Sequence, residues 1–136
     1  MASDEFRQTQ AKWVEKAMAS DKYCDAIFIV GKQRKRMYGF RGLLANISPV
    51  FEAQFYGSFR EASSIREEIE YPTISPNVFE CIIRSSMNLD PGINAENVME
   101  LIQVSQMLQI PQLQKECAGY LENNLNVDNV LFVLNA

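Results

Sequence analysis

The sequence predicts an α+β fold, a small β-sheet flanked by a cluster of short α-helices, on three observations. Short runs rich in β-branched and aromatic residues, CDAIFIVG at 24–31 foremost, sit in the first half of the chain and read as buried strands. Two Ser-Pro dipeptides, Ser48-Pro49 and Ser75-Pro76, each stand just before an apolar helical stripe. From Val78 onward, apolar residues recur mainly at helical intervals. With 136 residues and 47% hydrophobic content, the chain is the size of one domain with a proper core.

The first element expected is an amphipathic helix from Glu5 to about Ser20, with Phe6, Trp13, Val14, Ala17 and Met18 on its apolar side. A helix carrying a tryptophan must bury that face, either against its own domain or against a second copy. Both readings stand on the sequence alone. The run at 24–31 follows as a strand, and MYGF at 37–40 resumes extended character after KQRKR at 32–36, so a β-hairpin is expected with its tip in water. The basic run has two readings, a solvated tip or a nuclear-import or nucleic-acid patch.

A pair of short helices should come next. Leu43, Leu44 and Ile47 lie on one face of the first. Ser48 and Pro49 supply an N-cap and first-turn proline for the second, where Val50, Phe51, Phe55 and Tyr56 can face a core until Gly57 ends it. The segment SFREASS at 58–64 reads as an exposed loop displaying Phe59. IREEIEY at 65–71 is strand-like and charged on one side, which suits a sheet edge.

Ser75 and Pro76 open another helix with Val78, Phe79, Ile82, Ile83 and Met87 as its stripe, and Asp90, Pro91 and Gly92 make a turn. Three further helical segments are expected, from Asn94 to Leu108, Pro111 to Leu125, and Val127 onward. The last carries apolar residues up to Ala136 with no stop signal, as in a chain cut from something longer.

Composition restricts the chemistry. The chain has no histidine, so no mechanism or metal site within it uses one. Carboxylates are scattered or in solvated runs and no glycine-rich phosphate loop occurs, so no catalytic, cofactor or metal residues are expected. Cys24, Cys81 and Cys117 are widely spaced and form no CxxC pair, and are expected to be reduced and buried. A net charge of −4 argues against general nucleic-acid binding. Without a run of eighteen apolar residues or a basic-then-apolar leader, an intracellular, membrane-free chain without a small-molecule substrate is expected.

The order of elements, together with CDAIFIVG, FRGLLANISPVFEAQFYGSFRE at 40–61 and ISPNVFECII at 74–83, resembles the BTB/POZ domain over nearly the whole chain. It departs from the family in having Phe40 at a usual histidine and Met87, Asn88 and Leu89 at a usual Tyr-Thr-Gly turn. The resemblance implies a protein-interaction scaffold and homodimer, divided into an N-terminal dimerisation helix at 1–20, a core at 21–125 and the start of a following helical region at 126–136. Phe6, Trp13, Val14 and Met18 would then lie on the dimer interface. Asp25 and Arg41 fall where family members place a charged pair near the dimer groove, and an ordinary bridge within one subunit is the alternative.

The resemblance also implies a partner, cullin-3, for which the domain would act as substrate adaptor of a ubiquitin ligase. Phe59, Arg60 and Glu61 match the hydrophobic-x-Glu pattern of that subgroup, and Met87 sits at the altered turn on the same partner surface. The alternative within the resemblance is a dimeric transcriptional or chromatin scaffold that binds a corepressor in the groove between subunits.

Overall fold

A computed structural model of the chain describes residues 4–19, 21–57 and 67–124. The described elements run in the order α1 (Asp4–Met18), β1 (Ala26–Val30), β2 (Lys35–Gly39), α2 (Arg41–Ile47), α3 (Pro49–Tyr56), β3 (Glu68–Tyr71), α4 (Pro76–Ser86), α5 (Val98–Met107) and α6 (Pro111–Asn124). The α+β expectation holds. The helical segment expected from Val127 onward lies outside the described residues.

Strand β1 is the centre of a three-stranded sheet, paired antiparallel with β2 and parallel with β3. All five of its residues are buried, which explains an uninterrupted apolar run where a half-exposed strand would alternate. On the inner face Phe28 meets the rings of Phe79, Phe51, Tyr71 and Phe55 at centroid separations of 4.8, 6.0, 6.2 and 6.3 Å. Aromatic side chains from one strand and three other elements therefore fix how the helices stand on the sheet.

The outer face is built differently. Register places Tyr38 and Glu68 on either side of Ile27, and Arg36 and Glu70 on either side of Ile29. Arg36 pairs with Glu68 and Arg34 with Glu70, each bridging across the central strand over the two isoleucines. The KQRKR run is thus only partly a hairpin tip. Lys35 and Arg36 already belong to β2, and two of its arginines are committed to carboxylates of β3.

Helix α5 is fastened at both ends by the two Ser-Pro starts. At the beginning of α3, the Ser48 hydroxyl accepts the Phe51 amide at 3.2 Å and donates to the Leu108 carbonyl, just past α5, at 2.5 Å. At the beginning of α4, the backbone N–H and hydroxyl of Ser75 both donate to the Glu100 carboxylate, in the first turn of α5, at 2.7 Å each. Ser48 therefore caps its own helix, as expected from sequence, whereas Ser75 directs its hydroxyl to a neighbouring one.

Two residues differ from the expected stripes. Leu43 and Tyr56 are exposed, while Leu44, Phe51 and Phe55 are buried. Helices of 7 and 8 residues make only about two turns, too few for a periodic pattern to separate the core face from its flank. Gly57 does end α3 but with an extended backbone, and a side chain there would strike the Ala53 carbonyl.

Candidate interaction surfaces

Helix α1 presents an apolar arc wider than the domain covers. Ala17 is fully buried, Val14 and Met18 are half-buried, and Phe6 and Trp13 remain 52% and 50% exposed. The inner part docks α1 to the core, with Met18 against the central cluster and Glu15 reaching Arg84 of α4 at 3.4 Å. Trp13 rests on Tyr23 at 5.4 Å between ring centroids, and the Lys22 ammonium lies 5.1 Å from the same Tyr23 ring. Tyr23 is itself exposed, so Trp13, Tyr23 and Phe6 leave large aromatic surface in water on one side of the molecule.

Asp25 and Arg41 do meet, within a single subunit. The Asp25 carboxylate accepts the Arg41 backbone N–H at 2.7 Å, and the Arg41 Nε–H donates to the Asp25 backbone carbonyl at 2.8 Å. Phe40, at the N-cap of α2, has no side chain able to cap, so Asp25 satisfies a first-turn amide that would otherwise lack a partner. The guanidinium is mostly buried, with its carbon 5.1 Å from the centre of the Phe55 ring. This arrangement was legible as a pair of residues but not as side-chain-to-backbone bonds, since spacing says nothing of which atoms meet.

Met87 is the C-cap residue of α4, half-buried and packed against the core, with its amide bonded to the Arg84 carbonyl at 3.1 Å. Asn88 beside it adopts a left-handed backbone, φ 59°, and the turn closes on Gly92 at φ 81°. Phe59, Arg60 and Glu61 lie outside the described residues.

Of the three cysteines, Cys24 lies between Tyr23 and Asp25 and donates its thiol to the Ala17 carbonyl of α1 at 3.3 Å. Cys81 and Cys117 are buried and Cys24 half-buried, all as free thiols. Burial is the largest cause that pushes each thiol up, to about 11. Among the described residues no group of three or more His, Cys, Asp or Glu side chains could hold a metal ion. No described helix is long and apolar enough to cross a membrane.

A small sheet backed by helices, with an apolar helix face left over at its margin, defines an interaction scaffold. The chain belongs to the BTB/POZ domain family, whose profile matches residues 14–125. It is 33% identical over 94 residues to Kelch-like protein 38 of Danio rerio, 69% of this chain and 16% of the relative. Against Kelch-like protein 28 of Homo sapiens it is 29% identical over 108 residues, 79% of this chain and 18% of the relative. Kelch-like protein 40a of Danio rerio matches at 26% over 132 residues, 92% of this chain and 21% of the relative. The match thus takes up only a small part of the length of each relative.

Proposed function

We propose that this domain dimerises through α1 and that, in the protein to which it belongs, it serves as the substrate adaptor of a cullin-3 ubiquitin ligase. The observation that carries the dimer is the half-exposure of Phe6 and Trp13 on a helix already docked by its other side. An isologous contact would bury that face in both copies by one operation. The cullin assignment rests on the family, on the Kelch-like relatives and on Phe59, Arg60 and Glu61, whose apolar-x-acid pattern would give a partner groove an anchor and an orienting charge.

Phe6→Glu with Trp13→Glu tests the dimer without touching Met18, which the core needs. Loss of two aromatic anchors should weaken self-association by about a hundredfold or more, giving a folded monomer in sedimentation. An unchanged sedimentation profile would dismiss α1 as the interface. Titration with the cullin-3 N-terminal region should show binding that Phe59→Ala with Glu61→Ala removes. A folded dimer that ignores cullin-3 would leave the corepressor-groove reading in its place.

A further inference from the structure

The two Ser-Pro dipeptides of this chain sit in opposite surroundings. Ser48 is 1% exposed, with its hydroxyl engaged on both sides by Phe51 and Leu108. Ser75 is partly exposed in the connection between β3 and α4, and borders an open cleft of about 520 Å³ together with Lys32, Gln33, Pro72 and Thr73. Its backbone is extended, φ −66° and ψ 138°, and the chain contains no cis peptide bond among the described residues, so Ser75 leads into a trans proline. An extended serine before a trans proline is the substrate form that proline-directed protein kinases read. Thr73, on the same cleft, precedes Ile74 and lacks the proline.

We propose that Ser75 is a phosphorylation site for proline-directed Ser/Thr protein kinases, and that its modification releases the first turn of α5 from the start of α4. In the transfer, Ser75 Oγ attacks the γ-phosphorus of ATP and forms the new O–P bond. The bond from that phosphorus to the β,γ-bridging oxygen breaks, ADP departs with the electron pair, and the hydroxyl proton passes to the catalytic base of the kinase. The modified oxygen no longer has a proton to give Glu100. The phosphate also brings a charge of about −1.5 to −2 against a carboxylate that now sits 2.7 Å from the hydroxyl oxygen. Glu100 must swing away, taking with it the bond to the Ser75 amide. Lys32, on the same cleft, is the nearby cation toward which the phosphate can turn.

The clamp also sets the rate of modification, because Ser75 must leave Glu100 before a kinase can hold it. Glu100→Gln keeps the shape and weakens the charge-assisted bonds, and should raise the rate of phosphorylation about tenfold. The test takes a proline-directed kinase that phosphorylates a peptide of residues 70–80 and offers it the folded chain with ATP, mapping sites by tandem mass spectrometry. Phosphate on Ser75 and not on Ser48, arriving faster in Glu100→Gln, is the expected result. An unmodified Ser75 in both folded proteins would overturn the site, as would equal labelling of Ser48, which only an unfolded chain exposes. Hydrogen exchange on the phosphorylated native chain reads the switch: amides in the first turn of α5 should lose protection while those near Leu108 keep theirs. Unchanged protection in that first turn would overturn the release.

Discussion

Ser48 and Leu108 lie 60 residues apart in sequence, yet the hydroxyl of one donates to the carbonyl of the other at 2.5 Å inside the domain. Because the same oxygen accepts the Phe51 amide, one buried atom caps α3 and closes the end of α5. Ser48→Ala removes both bonds and leaves a buried amide and carbonyl unsatisfied. The loss of a cap and of a buried acceptor's partner together should cost about 2–3 kcal/mol. Chemical unfolding should show this as a lower midpoint at unchanged slope. Ser75→Ala, at a site that water reaches, should cost about 1 kcal/mol, so the ranking of the two variants checks which Ser-Pro start is structural.

Half of that relationship was readable beforehand. A serine before a proline and an apolar stripe signals an N-cap from local chemistry alone, and Ser48 is one. Its second partner was not readable, because no local pattern encodes a carbonyl that tertiary packing brings from Leu108. Ser75 shows the converse: the local signal was the same, but a carboxylate from Glu100 took the hydroxyl and the helix start went without its own side-chain cap. The basic run misled in part for a like reason. In the sequence the run at 65–71 is merely charged on one side, as an edge strand would be, and only the strand order reveals that Glu68 and Glu70 answer Arg36 and Arg34 across β1. The aromatic face of α1 is legible as apolar, whereas which part docks inward depends on where Arg84 stands to meet Glu15, and that is fixed by the rest of the fold.

The thiols predict a pH dependence of stability. Burial raises Cys81 and Cys117 from 9.0 to about 11 in the folded chain, so the fold holds these protons more tightly than the unfolded chain does. Their contribution is complete below pH 9. As the pH climbs from 9 towards 11 the unfolded chain ionises first, and stability falls. Urea titrations should therefore show a steep decline across that window, flatter in Cys81→Ala with Cys117→Ala than in the native sequence. Below pH 8 both thiols should resist a disulfide reagent until the chain is unfolded, since the thiolate is scarce and access is closed.

Asp25 has two duties assigned to it, and they separate experimentally. Its carboxylate accepts the first-turn amide of α2 within one subunit, so its removal should lower the stability of an isolated subunit. A residue acting only between subunits would instead change self-association and leave an isolated subunit untouched. Asp25→Ala placed in the Phe6→Glu, Trp13→Glu background makes the distinction, because the proposed α1 contact is removed there. The expected loss is about 1–2 kcal/mol, from an uncapped helix start and a charge-assisted bond. Asp25→Asn should recover part of it, since the amide oxygen can still accept from Arg41 while lacking the charge that favours a helix N-terminus. Equal unfolding midpoints for all three proteins would remove the within-subunit duty.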